Sequence, residues 1–101
     1  MVTVQPVPLA DGKVAVGIEV SLPRTQLIIA TTERGYIMCG ALDVALLNEK
    51  LKERGILAAR AVGVRTLKDL LDRPLESVTH AARELGIEPG MSGREALLRL
   101  F

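Results

Sequence analysis

A single cysteine, Cys39, precedes Gly40 where a predicted strand gives way to a predicted helix. A helix N-terminus carries about half a positive charge and several free N–H groups, so a cysteine there can act as a nucleophile, or the turn can bind an anion. Gly40 would let a ligand approach the backbone. Asp43, in the first helical turn, is a further candidate contact, although the helix dipole alone favours a carboxylate there. The alternative is that Cys39 is a small core residue and Gly40 serves only the turn.

His80 is the single histidine of the chain. Glu76 and Glu84 are its i−4 and i+4 neighbours on the predicted helix, so the three residues lie on one stripe. Such a stripe can bind a metal or transfer a proton, but it is equally typical of a solvated helix face or an interface. Because a zinc site needs three or four protein ligands, one imidazole is too few. We therefore predict no intrinsic metal and no cofactor.

Arg60, Arg65 and Thr66 flank the end of a predicted strand and the start of the next helix. An arginine beside a helix N-terminus can bind a carboxylate or phosphate. The alternative is that Thr66 only caps the helix and that both arginines are surface charges. Residues 63–71 also suggest half of a helix-hairpin-helix, without its paired helix, so nucleic-acid binding is only a third and weak hypothesis.

The amino-acid composition indicates which kinds of partner the chain can bind. Apolar residues make up 49% of the chain, with one Tyr, one Phe and no Trp, so the core must be aliphatic. So much apolar surface on a small domain predicts self-association. The net charge of +1 gives no electrostatic case for a membrane or nucleic-acid partner. One cysteine allows no intrachain disulfide, and neither a signal peptide nor an apolar run of roughly 20 residues is evident, so we expect a cytoplasmic protein.

The first forty residues predict an antiparallel meander. A strand over residues 2–9 contains Pro6 and Pro8, which favour a sheet edge, and Asp11-Gly12 predicts a hairpin turn. Residues 13–22 alternate strictly, and we expect their large apolar face to pack on the core. The opposite face carries Ala15 and Gly17, which are small enough to let another sheet or subunit approach closely, and we expect the oligomer contact there.

Further strands are predicted over residues 26–32, 36–39 and 57–62. A main core helix is predicted over 41–54, packed on the sheet through Leu42, Leu46 and Leu51. Thr66 and Ser92 are predicted helix caps, and Pro74 is placed near the start of a helix. The fold class is therefore α+β (mixed αβ), an N-terminal antiparallel β meander with helices packed on one sheet.

Three stretches, residues 35–48, 61–66 and 74–82, resemble the YunC-like family of bacterial and archaeal domains of unknown function. The resemblance covers nearly the whole chain. It implies a mixed αβ domain that forms a tetramer through its N-terminal β region. It implies no reaction, cofactor or catalytic residue.

We therefore expect one domain over residues 1–101, with a β-rich oligomerisation region over 1–40 and a mainly helical part over 41–101. The leading hypothesis is a non-enzymatic homo-oligomer that acts as a scaffold or binds a small anion or a partner. The alternative is a small enzyme with Cys39 as nucleophile and His80 as base, assembled within one chain or across a subunit interface.

Overall fold

The computed structural model describes residues 1–49 and 52–101. Within this part, six strands form one sheet in the order β1-β2-β3-β4-β5-β6. The strands are β1 Val2–Pro8, β2 Val14–Leu22, β3 Thr25–Thr31, β4 Gly35–Met38, β5 Leu57–Arg60 and β6 Ser77–Val78. The helices are α1 Val44–Glu49, α2 Leu67–Asp72, α3 His80–Glu84 and α4 Gly93–Leu98, with short 3-10 turns at Ala10–Gly12 and Lys52–Arg54. Every strand pair is antiparallel except β4 with β5. No helix of the described residues is both long enough and apolar enough to cross a bilayer.

The predicted meander and its edge strand are confirmed. Strand β1 lies at one end of the sheet and pairs only with β2. An edge strand tolerates Pro6 and Pro8 because one of its sides needs no backbone N–H donors for a neighbouring strand. The turn between them has Asp11 at φ 61° and Gly12 at φ 73°, conformations that these two residue types tolerate well.

The predicted orientation of β2 is wrong. Its small residues face the helices, with Ala15 only 1% exposed and Gly17 buried, whereas Val14 and Val16 are 53% and 41% exposed. A Cβ on Gly17 would collide with Leu67 of α2. The small face of the strand therefore lets α2 approach the sheet closely, and the helix supplies the bulk that fills the core.

The main core lies between the sheet and the layer that contains α2 and α4. As the composition predicts, its largest fully buried side chains are all aliphatic: Ile28, Ile37, Leu70, Ile87, Leu97 and Leu100. The same cluster runs from Val7 in β1 to Leu100 near the C-terminus, so both halves of the chain contribute to one core.

The predicted core helix over 41–54 is shorter than expected. Helix α1 covers Val44–Glu49, and a separate 3-10 turn covers Lys52–Arg54. Leu51, one of the three predicted packing residues, lies outside the described residues. Helix α1 packs against β5, while the described part of α1 adds no residue to the main cluster.

The buried side of α1 also differs from the prediction. Leu46 is 45% exposed, whereas Val44 and Leu47 are 7% and 8% exposed. The helix begins after Asp43, whose Oδ1 atom accepts a hydrogen bond of 3.0 Å from the backbone N–H of Leu46, in the manner of an N-cap. Leu42 therefore precedes the helix, and Val44 and Leu47, three positions apart, form its buried side.

Two predicted caps are confirmed, and one predicted helix start is wrong. Thr66 accepts a hydrogen bond from the backbone N–H of Asp69 at 3.1 Å, and Ser92 accepts one from that of Glu95 at 3.2 Å. Pro74 does not begin a helix, because it forms an isolated bridge with Ser92. Strand β6 follows Pro74 in the chain and pairs antiparallel with β5.

Candidate functional site

An open cleft of about 470 Å³ lies between α1, the end of β5 and the start of α3. We call it the Arg60 cleft. Its polar lining residues are Asp43, Asn48, Arg60, Glu76, Ser77, His80 and Arg83. Asp43, Arg60 and His80 were candidates on separate grounds, Glu76 was considered with His80, and the fold brings all four to one cavity. Asn48, Ser77 and Arg83 were missed.

Arg60 is the last residue of β5, and its side chain is 32% exposed. Its Nη1 atom lies 3.9 Å from the Oε2 atom of Glu76, which is an ion pair but too long for a hydrogen bond. The Nε atom is buried and has no hydrogen-bond partner among the described residues. The guanidinium is therefore a cation with unused donors at the wall of the cleft.

The walls of the cleft are tied together by backbone contacts. The backbone N–H of His80 donates to the Oδ1 atom of Asn48 at 2.9 Å, which connects the start of α3 to α1. The backbone N–H of Glu76 donates to the carbonyl of Arg60 at 2.7 Å. The positions of the charged side chains thus follow from hydrogen bonds that link α1, β5, β6 and α3.

Thr79, the residue before His80, is a buried polar centre that is 2% exposed. Its hydroxyl donates to the carbonyl of Ile56 at 2.7 Å. The same oxygen accepts from the backbone N–H groups of Ala58 and Ala82, both at 3.2 Å. One side chain therefore caps α3 and joins it to β5.

Thr79→Val should reduce the free energy of unfolding by about 2–3 kcal/mol. Valine keeps the shape of threonine but leaves a partly buried carbonyl and two buried N–H groups without this partner. Thr79→Ser is the matched control, because it keeps the hydroxyl and loses only a methyl group, at a cost of about 1 kcal/mol. Urea unfolding followed by circular dichroism measures both, and equal losses for the two variants would contradict the role of the hydroxyl.

The predicted stripe of Glu76, His80 and Glu84 does not exist as a helical face. Helix α3 begins at His80, and Glu76 lies before β6. Among the residues in 1–49 and 52–101, no three His, Cys, Asp or Glu side chains come close enough to hold a metal ion.

Cys39 lies in the main core and is 6% exposed. Its Sγ atom lies 3.8 Å from the carbonyl oxygen of Gln26, a weak contact. The expectation that Cys39 sits at a helix N-terminus is wrong, because α1 starts five positions later at Val44. His80 lines the Arg60 cleft and Cys39 does not, so the structure gives the pair no common cavity there.

The other candidates divide between the cleft and the surface. Gly40 is exposed and lies beside Arg60, since a Cβ on Gly40 would be 3.7 Å from the Nη2 atom. Thr66 is the cap of α2. Arg65 is exposed, its backbone N–H donates to Asp69, and it lines a separate surface depression. For Thr66 and Arg65 the structure agrees with the simpler interpretation of a cap and a surface charge.

Two known proteins are similar to this chain over its full length. The uncharacterized protein YunC of Bacillus subtilis (strain 168) is 61% identical over 101 residues, which cover 100% of this chain and 99% of the relative. A protein of unknown function from Thermoplasma acidophilum, whose crystal structure is known, matches with a TM-score of 0.87 and 29% identity. That match covers 100% of this chain and 94% of the other.

A family model described as a domain of unknown function (DUF1805) matches residues 38–100. The matched part contains every residue that lines the Arg60 cleft, while β1–β3 precede it. These matches confirm the resemblance found in residues 35–82. The chain belongs to the YunC-like family of domains of unknown function, DUF1805.

Proposed function

We propose that this protein is a non-enzymatic, cytoplasmic homo-oligomer, a tetramer, that assembles through the uncovered face of β1–β3. We call this surface the open face. Its apolar residues are Val2, Val4, Pro6, Pro8, Val14, Val16, Ile18, Val20, Leu22, Leu27 and Ile29. The observation that carries the proposal is that the large apolar side chains of β2 point away from the core, together with those of β1 and β3 that pair with them.

The register of the sheet makes the open face continuous. Val4 pairs with Ile18 and Ile18 pairs with Ile29, so these three side chains form a row across the strands. Val2 and Val4 are 63% and 64% exposed. Monomers rarely expose an apolar patch of more than a few hundred Å². Burial of this face is therefore expected to drive association.

A second copy of the same chain is the partner that fits this surface. On this side of β1–β3 the side chains are apolar, apart from Thr25 and Thr31, and none is charged. An uncharged face selects no charged partner, and two such faces can pack together as in a β-sandwich. A two-fold axis places the same patch on both sides of the contact. The YunC-like resemblance points to the same N-terminal region for tetramerisation.

The edge of the sheet is a poorer route to assembly. Strand β1 carries Pro6 and Pro8, and each proline lacks the backbone N–H that an added strand would need. Face-to-face packing therefore supports the proposal better than strand addition. The single free cysteine is consistent with a reducing compartment such as the cytoplasm.

Val4→Lys should lower the assembly state, because it places an unpaired charge in the proposed contact. Thr3→Lys is the matched control, since Thr3 is the adjacent exposed residue on the opposite side of β1. Light scattering coupled to gel filtration should give wild-type and Thr3→Lys proteins a mass near four chains of 10.9 kDa. Val4→Lys should give a smaller mass with an unchanged circular dichroism spectrum.

A wild-type mass equal to one chain would refute the assembly. A Val4→Lys protein that keeps the wild-type mass, or a Thr3→Lys protein that loses it, would refute the placement on the open face.

A further inference from the structure

We propose that the Arg60 cleft is a binding site for a small aminocarboxylate, a ligand with one carboxylate and its own ammonium group. Arg60 binds the carboxylate. This site is separate from the proposed self-association and stands whether or not the chain forms a tetramer.

The first argument is the unsatisfied guanidinium of Arg60. Buried polar groups in native proteins are nearly always hydrogen-bonded, so each exception calls for an explanation. Here Nε has no partner among the described residues, and Nη1 is 3.9 Å from its nearest carboxylate. The buried Nε is itself closed to a ligand, but the outer Nη groups are not, since the side chain is 32% exposed and Nη1 makes only the long contact with Glu76. A ligand carboxylate can accept from these outer N–H groups, because the planar fork of a guanidinium matches its two oxygens.

The second argument is the balance of charge around the cleft. Arg60 and Arg83 supply two positive charges, and Asp43 and Glu76 supply two negative ones. A polyphosphate would meet repulsion from the two carboxylates. A zwitterion fits better, because its carboxylate pairs with arginine and its ammonium group pairs with Asp43 or Glu76.

The third argument is shape and support. A volume of about 470 Å³ is within the range of small-molecule sites. The walls are joined by the hydrogen bond between His80 and Asn48 and by that between Glu76 and Arg60. Val44 and Val78 are buried side chains in the lining and give the cleft an apolar floor. The cleft is therefore largely formed before a ligand arrives.

The Nε–Hε group of Arg60 provides a direct reporter. Because Nε is buried, its proton should exchange slowly with water and give a resolved cross-peak in a ¹⁵N correlation spectrum. The peak is assigned by its loss in Arg60→Lys. The standard L-amino acids, propionate, succinate and inorganic phosphate are then titrated one at a time at constant pH and ionic strength, with sodium chloride as the reference.

We expect a saturable shift of this peak with at least one L-amino acid, and weaker shifts with the acids that lack an ammonium group. Arg60→Lys should weaken binding of that amino acid about tenfold or more, measured by calorimetry, because the fork is lost. Arg94→Lys is the control and should bind like wild type, since Arg94 pairs with Asp72 and does not line the cleft. Arg83→Gln, at the rim, is a second test and should weaken binding several-fold.

Three results would overturn the proposal. They are the absence of a saturable shift with every amino acid, a response to phosphate that exceeds all carboxylates, and equal affinities for wild type and Arg60→Lys. Oligomeric mass is recorded for each variant, so failure of this site is distinguished from failure of the assembly.

Discussion

Gly17→Arg is expected to unfold the domain or leave it barely stable. A side chain at Gly17 would collide with Leu67 and approach the Cγ2 atom of Val7 at 3.0 Å. Arginine would also bring a charge beneath α2, where the surroundings are aliphatic. Overpacking together with a buried charge should cost about 4 kcal/mol or more, a large part of the 5–15 kcal/mol that stabilises a typical domain. Thermal and urea unfolding by circular dichroism measure the loss.

Val16→Arg is the matched control for this prediction. Val16 is adjacent in the chain, is 41% exposed and lies on the open face. The variant should fold with nearly wild-type stability per chain, and any loss should appear in the assembly. A Gly17→Arg protein as stable as Val16→Arg would contradict the packing of α2 on the small face of β2.

Gly93→Ala should cost about 3 kcal/mol. A Cβ at Gly93 would collide with the backbone carbonyl oxygen of Leu70 and would lie 2.8 Å from the Cδ1 atom of Ile37. Backbone cannot move aside as a flexible side chain can, so α4 would have to separate from α2. The expected loss of stability is opposite in sign to the effect of helix propensity, which favours alanine over glycine by about 1 kcal/mol.

Gly40→Ala is the control for Gly93→Ala. A Cβ at Gly40 would meet the Nη2 atom of Arg60 at 3.7 Å, an ordinary contact, so its effect should stay within about 0.5 kcal/mol. The midpoints of urea unfolding, compared between the two variants, measure the difference in stability. If Gly93→Ala is no less stable than Gly40→Ala, the close crossing of α2 and α4 is wrong.

Local chemistry explains the features of the fold that the sequence predicts correctly. Pro6 and Pro8 place β1 at an edge because proline lacks a donor. Thr66 and Ser92 mark helix starts because their hydroxyls accept from the first turn. Each of these depends on residues only a few positions apart, so no knowledge of the rest of the fold is needed.

The candidate site was predictable only in pieces. Asp43, Arg60 and His80 are each notable for residue type or position, but nothing in their spacing shows that they line one cavity. Asn48 reaches His80 across 32 positions of sequence. That contact depends on how α1 and α3 pack against β5, which local patterns do not contain.

The sequence by itself determined that β2 has one face of large apolar side chains and one that carries the small residues Ala15 and Gly17, because alternating side chains must point to opposite sides of a strand. Only the tertiary structure decided which face is covered. Because the second face also carries Glu19 and Ser21, hydrophobicity alone favours burial of the large face, whose Val14 and Val16 are in fact exposed. The choice depends on the helix layer: α2 carries Leu67, Leu70 and Leu71, and this bulk fits against Ala15 and Gly17 but not against a row of valines. The larger side chains are consequently left on the outside of the sheet.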